Sequence, residues 1–154
     1  MKLSEYLDPE LVVVGVRPAD IGGILSQLVE PLVRNGTLES VDRVLDALLA
    51  RERVLSTGIG QGVAVPHAIS EAIPAPCLIV GLASDGVDFH AMDDAPVEVF
   101  FVLLSPPDRA GQHIRLLARI ARLARHPDFV GALRRSRSGP EVVDHIRAYE
   151  REHV

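Results

Sequence analysis

The sequence is poor in aromatic residues and has almost no cysteine or lysine. Its 154 residues include no tryptophan, one cysteine and 4% aromatic residues. Because a disulfide needs two thiols, Cys77 cannot form one within the chain, and its place in an apolar run predicts a buried, unreactive thiol. Every basic residue except Lys2 is an arginine. The chain is nevertheless long enough to bury a substantial apolar core.

Long apolar runs are also absent. No window reaches the roughly 18 apolar residues that a membrane span needs, and Met1–Tyr6 has no apolar segment typical of a secretory signal. Both absences predict a cytoplasmic protein. The net charge of −5 argues against nucleic acid as a partner, because a phosphate backbone requires a basic surface.

Several common catalytic and metal-binding patterns are missing. The sequence has no Gly-x-Ser-x-Gly elbow and no His-Glu-x-x-His pair. Four carboxylates lack the spacing of a calcium loop and are interpreted as a solvated rim that faces a partner: Asp85, Asp88, Asp93 and Asp94. Four histidines lie in predicted loops or on solvent faces and are assigned no direct role: His90, His126, His145 and His153. We therefore expect no metal and no other cofactor.

Apolar periodicity predicts two helices in the first third of the chain. The first follows a strand at Leu11–Val14, includes Pro18 in its first turn and ends at Asn35-Gly36. Pro31 removes a backbone donor and predicts a kink or an early end. The second helix begins after Ser40 and carries Arg51 at its C-terminal end. Its predicted inward face is formed by Val41, Val44, Leu45, Leu48 and Leu49.

The remaining pattern predicts buried strands followed by three helices. Cys77–Ala83 and Val97–Leu104 are expected to be strands buried on both faces, with a tight turn at Asp85-Gly86. Helices are predicted at Arg109–Arg125, Pro127–Arg135 and Pro140–Glu150. The first of them has His113 near its first turn, and its predicted inward face is Ile114, Leu117, Ala118, Ala121 and Ala124. This alternation predicts an α/β fold in which residues 1–154 form one layered domain, with a core of about 3–148 and a central sheet.

The glycine-rich segment before His67 is the strongest candidate for a functional site. Gly58, Gly60 and Gly62 precede a predicted strand at Val63–Pro66, and His67 follows where that strand stops. Glycines let a backbone approach an anion closely, so the segment suits a group that carries a phosphoryl. It does not fit nucleotide-binding loops, which follow a strand and open a helix. Turn glycines beside a histidine with no chemical role remain the alternative.

The same segment resembles the active-site region of a known family. The residues that carry the resemblance are Arg51-Glu52 and Ser56-Thr57-Gly58-Ile59-Gly60-x-Gly62-Val63-Ala64-Val65-Pro66-His67. They are similar to those of the enzyme IIA components of the phosphoenolpyruvate-dependent sugar phosphotransferase system, type 2, which includes mannitol, fructose and nitrogen-regulatory members. A second block, Asp88-Phe89-x-Ala91-Met92-Asp93-x-x-Pro96-Val97 and Gln112-His113-Ile114, is similar to the second half of these proteins. The resemblance spans about residues 3–148 and implies the mannitol-type fold, a mixed sheet flanked by helices.

The resemblance implies a role for each site residue. His67 would accept a phosphoryl group from the histidine-containing phosphocarrier protein, through the ring nitrogen farther from the backbone. His113 would donate an N–H to that group, and Arg51 would offer a fork of donors, although a cation at a helix C-terminus also stabilises the helix by itself. The supporting residues would be Ser56, Thr57, Gly58 and Gly60.

The destination of the phosphoryl group is open at this stage. The chain could pass it to an enzyme IIB target for sugar transport or use it as a signal, and the absence of other phosphotransferase domains in the sequence favours a mainly regulatory role. The alternative is a regulatory module without catalysis, whose docking to a transporter or kinase depends on the state of His67. A relative that only binds a ligand is disfavoured because Arg51, His67 and His113 are all present. Ala68, where nitrogen-regulatory members often have glycine, is compatible with fructose-type members.

Overall fold

The fold is a six-stranded mixed sheet with helices on both faces. A computed structural model describes residues 1–153. The strands are β1 (Val12–Val14), β2 (Gly58–Gly60), β3 (Val63–Ala64), β4 (His67–Ile69), β5 (Cys77–Val87) and β6 (Val97–Ser105). The helices are α1 (Ile21–Val29), α2 (Pro31–Arg34), α3 (Asp42–Val54), α4 (Ala110–Leu123), α5 (Pro127–Arg135) and α6 (Gly139–Glu152), with 3₁₀ turns at Leu3–Glu5, Pro9–Leu11 and Pro107–Arg109. The predicted layered α/β architecture is confirmed.

Strand β6 is the centre of the sheet. The strand order is β1-β5-β6-β3-β2, and β4 pairs with β6 beyond β3. Strand β6 is antiparallel to β5 but parallel to both β3 and β4. Eight of its nine residues are buried, as expected for the predicted apolar strand with partners on both edges. This position brings the end of β6 next to β4, which begins at His67.

Alternating residues of the central strands face different helices. A β-carbon at Gly81 would lie 2.2 Å from Leu28 of α1, so the sheet approaches α1 closely there. On the next strand Phe101 stacks on Phe129 of α5, with ring centroids 6.3 Å apart. Because neighbouring residues of a strand point to opposite faces, the apolar sequence of β6 fills the cores on both sides.

The tight turn predicted at Asp85-Gly86 is wrong. Strand β5 continues to Val87, which pairs with Val97 of β6, and the register shifts between Leu82 and Val87. Gly86 has φ +73°, which is typical of a bulge residue. The glycine therefore marks an irregularity inside one long strand, because the pairing with β6 resumes after it.

The first helical segment is interrupted where the prolines predict. Asp20 caps α1 by accepting a hydrogen bond of 2.7 Å from the amide of Gly23, so Pro18 precedes the helix and is not in its first turn. Helix α1 ends at Val29, and Pro31 opens the short helix α2. Helix α3 begins at Asp42, and Ser40 Oγ accepts a hydrogen bond from its amide nitrogen.

The predicted inward face of α4 is only partly correct. Ala124 is buried and Leu117 packs against the core. Ile114 is 66% exposed and Ala118 is exposed, although both belong to that face. The buried residues of α4 are His113, Leu116, Ile120 and Leu123. The helix thus has two apolar stripes about one residue apart, and packing on β6 selects the stripe that carries the histidine.

No helix within residues 1–153 combines the length and the apolar character that crossing a membrane would require.

Candidate functional site

The glycine-rich segment forms a hairpin at one edge of the sheet. Strands β2 and β3 are antiparallel, and the connecting residues have positive φ angles: +91° at Gly60, +58° at Gln61 and +80° at Gly62. Gly58 is required for a different reason, because a β-carbon there would lie 2.7 Å from that of Ala91. The loop that carries Ala91 therefore packs directly on the hairpin.

His67 lies at the start of a separate strand. The sequence predicted one strand over Val63–Pro66 with His67 at its end, but β3 stops at Ala64 and β4 begins at His67. The amide of Val65 bonds instead to the carbonyl oxygen of Thr57 at 2.9 Å. The pairing with β6 is therefore interrupted at Val65 and resumes at Pro66, whose carbonyl oxygen accepts from the Leu103 amide at 3.0 Å.

The interrupted ladder fixes the tautomer of His67. Its Nδ1 atom lies 2.8 Å from the carbonyl oxygen of Val65. Because a carbonyl oxygen can only accept, Nδ1 must carry the proton and donate it. In the neutral ring the lone pair is therefore on Nε2, the nitrogen farther from the backbone, and the half-buried imidazole presents a fixed nucleophilic atom.

His113 is packed behind His67, with ring centroids 5.8 Å apart. The side chain of His113 is buried, and its Nδ1 lies 2.7 Å from Ser105 Oγ at the end of β6. Among the described residues this hydroxyl has no other hydrogen-bond partner, so it can donate to Nδ1. That direction leaves the His113 proton on Nε2.

Ser105 is a site residue that the sequence analysis missed. Its side chain is fully buried and lies eight residues before His113 in the sequence. The available signal was a polar residue closing an otherwise apolar strand just before Pro106-Pro107. Helix α4 must first dock on β6 before the serine and the histidine meet.

Burial keeps both imidazoles neutral. The pKa of His113 is lowered to about 4, chiefly by desolvation and further by repulsion from His67. Desolvation also lowers the pKa of His67, and the charge of Arg51 lowers it further, while the hydrogen bond to Val65 and the charge of Glu52 oppose the shift. At neutral pH an uncharged nucleophile thus faces an uncharged partner.

Arg51 stabilises the C-terminal end of α3, as expected for a cation at that position. Its Nη1 atom donates to the carbonyl oxygen of Leu55 at 2.7 Å, just beyond the last turn of α3. This bond satisfies a free carbonyl at the helix C-terminus. The guanidinium is still close enough for its charge to lower the pKa of His67.

Glu52 is a second residue that was missed as a site residue. Its carboxylate accepts the hydroxyl of Thr57 in a short hydrogen bond and the Thr57 amide at 3.1 Å. Its negative charge raises the pKa of His67. The Thr57 hydroxyl is therefore directed to Glu52. Ser56 Oγ accepts from the Gly58 amide at 3.0 Å, so both hydroxyls take part in the structure of the loop.

The remaining sequence candidates are distributed around this site. Gly60 lies beside the exposed Asp93, whose carboxylate accepts from the Gln61 amide at 3.1 Å and so holds the hairpin tip. Arg51 comes from α3, the two histidines from β4 and α4, and Ser105 from the end of β6. No group of three metal-ligating side chains occurs in residues 1–153. Free Cys77 is partly buried, and desolvation raises its pKa to about 12, so its thiol is protonated.

Comparison with known proteins gives a consistent family resemblance. Residues 5–149 match the family model "Phosphoenolpyruvate-dependent sugar phosphotransferase system, EIIA 2". The chain is 33% identical over 142 residues to the "PTS system fructose-specific EIIA component" of Haloferax volcanii, with 92% of each chain covered. These matches agree with the resemblance seen in the two sequence blocks.

Two solved structures share the fold. The crystal structure of the nitrogen regulatory protein IIA-Ntr from Neisseria meningitidis matches with a TM-score of 0.83 and 28% identity, covering 93% of this chain and 97% of that one. Mannitol enzyme IIA from Escherichia coli, solved in complex with phosphorylated enzyme IIB, matches with a TM-score of 0.75 and 21% identity over 92% of this chain and 97% of that one. The predicted mannitol-type fold is therefore confirmed.

Proposed function

The chain belongs to the EIIA type 2 family of the phosphoenolpyruvate-dependent sugar phosphotransferase system, and we propose that it carries a phosphoryl group on Nε2 of His67. Components of this system transfer phosphoryl groups. The observation that carries the assignment is the 2.8 Å hydrogen bond from Nδ1 to the carbonyl of Val65, which leaves the Nε2 lone pair free.

The proposed donor is the histidine-containing phosphocarrier protein. In the transfer, the Nε2 lone pair attacks phosphorus in line, the phosphorus–nitrogen bond to the donor imidazole breaks, and the donor nitrogen keeps that electron pair. Nδ1 of His67 retains its proton and its bond to Val65 throughout. The charges balance when the other ring nitrogen of the donor carries a proton, so that the donor leaves as a neutral imidazole and the positive ring charge passes to His67. No further acid or base is then needed, and the protein contributes positioning and charge stabilisation, as is typical of phosphoryl transfer.

His113 and Arg51 are proposed to stabilise the phosphoryl oxygens. With Ser105 donating to its Nδ1, His113 would donate its Nε2 proton to one oxygen, and burial keeps this ring neutral without removing that donor. Arg51 donates to Leu55 with Nη1, which leaves the other side of its planar guanidinium for a charge-assisted bond. Thr57 is proposed to act through Glu52, and Ser56, Gly58 and Gly60 through the hairpin.

Exposed apolar side chains near the site are proposed to dock the carrier and the target. Ile69 lies two residues after His67 and is 40% exposed, and Ile114 directly follows His113 at 66%. Met92 is 70% exposed on the loop that packs against Gly58. An exposed apolar surface of this kind allows a partner imidazole to approach His67 closely. Ile114 and Ala118 form the helical stripe that would serve a partner, which explains why their periodicity suggested a core.

The four acidic residues Asp85, Asp88, Asp93 and Asp94 are exposed and are proposed to border this docking surface. Asp88 and Asp93 also accept local amide hydrogen bonds, so charge reversal there would alter loop structure. The matched test is reversal at Asp85 and Asp94, where an unchanged affinity for the carrier would remove the acidic border from the proposal.

Regulation is proposed as the main use of the phosphorylated state, in the cytoplasm. The specific observation is the similarity to a protein named nitrogen regulatory IIA-Ntr, with a TM-score of 0.83. Phosphorylation would add about −1.5 to −2 charges beside the exposed apolar surface around His67. This added charge can break or create an interface with a transporter, a kinase or an enzyme IIB target. The similarity to a fructose-specific component keeps phosphoryl transfer to a IIB target as the second candidate.

The deciding experiment is intact-mass spectrometry after incubation with phosphorylated carrier protein. We expect the mass of the wild type and of a His90→Ala control to rise by one acid-labile phosphoryl group, whereas His67→Ala should gain nothing. His113→Ala should be phosphorylated more slowly. A wild-type protein that gains no mass from a carrier active on a known acceptor would reject the phosphocarrier function. Phosphorylation that persists in His67→Ala would reject the assigned residue.

A further inference from the structure

Charge is divided unevenly along the chain. Up to residue 108 the sequence has six lysine and arginine residues against sixteen carboxylates, and after residue 108 it has ten arginines against five carboxylates. The last three helices are thus cationic in a protein of net charge −5. The arginines of α4 at 115, 119 and 122 are spaced by four and three residues, so they share one helical face.

A small cavity opens at the end of this cationic face. It has a volume of about 180 Å³ and is lined by Arg119, Arg122, Leu123, His126 and His153. Pockets for drug-sized ligands are larger, about 300–1,000 Å³. The cavity therefore suits a single small group.

Arg119 is held rigidly at the wall of the cavity. Its Nε donates at 2.9 Å to Glu150, whose side chain is fully buried, while the Arg119 side chain is only 17% exposed. The same carboxylate accepts the amides of Leu3 and Ser4 at 2.8 and 3.1 Å. Within residues 1–153 the two terminal nitrogens of Arg119 make no hydrogen bond. Every buried side-chain nitrogen among the described residues has a hydrogen-bond partner, so these two nitrogens are not buried. These donors are therefore open to solvent and preorganised.

Aromatic rings form the other wall. Tyr149 and His153 stack with centroids 3.9 Å apart and an interplanar angle of 8°, and His126 lies 5.7 Å and 5.9 Å from them. His153 is fixed further by its Nδ1, which donates to the carbonyl of Tyr149 at 3.0 Å. The ring nitrogens of His126 have no hydrogen-bond partner among the described residues, so this ring is available to a ligand in the cavity that it lines.

The lining is suited to an anion. The residues that line it include two guanidinium groups and no carboxylate. The nearby carboxylate of Glu150 is already paired with Arg119 and two backbone amides. Asp128 and Glu152 are not among the lining residues, although the pKa of Tyr149 is raised by desolvation and then by their charges.

Guanidinium forks match the geometry of phosphate oxygens, and two of them can bind one phosphate group from two sides. We propose that this cavity binds the phosphate group of a small phosphorylated metabolite or free phosphate, at a site separate from His67. Along α4 the ten residues from His113 to Arg122 span about 13 Å, because each of the nine steps rises about 1.5 Å.

The alternative explanation is that the cations serve the helices. Both α4 and α6 end near the cavity, and cations at a helix C-terminus offset its partial negative charge. In that case no ligand is bound, and any weak attraction of anions would depend on total helix charge. The difference can be tested with Arg115, which lies on the same face of α4 but does not line the cavity.

The test is a ¹H–¹⁵N NMR titration of the unphosphorylated protein at about 0.15 M salt, where nonspecific surface attraction is screened. The probes are inorganic phosphate, a hexose phosphate and the same hexose without phosphate. We expect saturable shifts at residues 119–126, 149 and 153 with one or both phosphate probes and none with the free hexose. Tighter binding of hexose phosphate would identify a metabolite as the ligand, and equal binding would identify phosphate itself.

Variants then separate the cavity from the helix charge. Arg122→Gln and His126→Gln alter exposed residues and should weaken binding about tenfold or more, because each removes a donor to the anion. Arg115→Gln should leave the dissociation constant within about twofold. Arg119 is left unchanged because it holds Glu150. The proposal is overturned if no saturable shift occurs, if Arg115→Gln weakens binding as much as Arg122→Gln, or if the shifts lie only around His67. The titration uses unphosphorylated protein, so its result is independent of whether His67 accepts a phosphoryl group.

Discussion

Ser105→Ala is the substitution that tests the proposed site most directly. The Ser105 hydroxyl lies 2.7 Å from Nδ1 of His113 in a fully buried position. We infer that it donates to this nitrogen and so keeps the His113 proton on Nε2, where it can bond to a phosphoryl oxygen. The substitution removes the hydroxyl with little change in shape, but it leaves a buried ring nitrogen without a partner.

Two losses can be estimated from this contact. The unsatisfied nitrogen should lower the free energy of unfolding by about 1–3 kcal/mol. If the phosphoryl group then loses a hydrogen bond with a net value of about 1–1.5 kcal/mol, the rate of phosphorylation should fall about tenfold. Long-range ¹H–¹⁵N NMR of His113 should show a mixture of tautomers where the wild type has one.

Ser136→Ala provides a matched control. Ser136 is also buried and its Oγ lies 2.8 Å from Nδ1 of His145, but this hydroxyl donates to the carbonyl of Ala132 at 3.0 Å. The control should lose similar stability and keep the wild-type rate of phosphorylation, measured by rapid quench with phosphorylated carrier. Equal rates for Ser105→Ala and Ser136→Ala would refute the reasoning, since the hydroxyl of Ser105 would then contribute only to folding.

Three further predictions concern the same region. The pKa of His113 is about 4 in the folded protein and about 6.5 in the unfolded chain. Because the unfolded state binds the proton first, the free energy of unfolding should fall by about 3 kcal/mol as pH decreases from about 7 to 4. Denaturation of His113→Gln should show a flatter dependence of stability on pH over this range, and an equally steep one would contradict the assignment. Gly58→Ala should lower the free energy of unfolding by about 1–3 kcal/mol, because the new β-carbon would lie 2.7 Å from the side chain of Ala91. In the control Gly22→Ala the new β-carbon has no neighbouring atom closer than 3.9 Å, so thermal melts should show unchanged or higher stability. Glu52→Gln should lower the pKa of His67 further in an NMR titration, because the carboxylate charge raises it; an unchanged pKa would exclude Glu52 from the electrostatics of the site.

Short-range signals in the sequence determined much of the fold. Pro127 at the first position of α5 predicted the start of that helix, and the structure has it at Pro127–Arg135. Pro31 predicted the interruption after α1, because a residue without an amide hydrogen cannot continue the hydrogen-bond pattern. The glycines before His67 predicted a tight backbone at the right place. In each case the cause is the residue itself or its immediate neighbours.

The tertiary structure decided which of several locally equivalent arrangements occurs. The Asp85-Gly86 pair suits both a turn and a bulge, and pairing of Val87 with Val97 selects the bulge. Two stripes of α4 are apolar, and docking on β6 buries the one that contains His113, which leaves Ile114 for solvent or a partner.

The same holds for the side-chain pairs of the site. Nothing near Ser105 in the sequence indicates that it will meet His113, and the bond from Glu150 to the Leu3 amide joins residues 147 positions apart. The sequence by itself determined the element boundaries that prolines mark, such as the start of α5 and the interruption after α1, and which histidine follows the glycines. Which faces are buried, which hydroxyl fixes which imidazole and which cations share a cavity depended on contacts between distant segments, whose free energy is gained only when the whole sheet and its helices pack together.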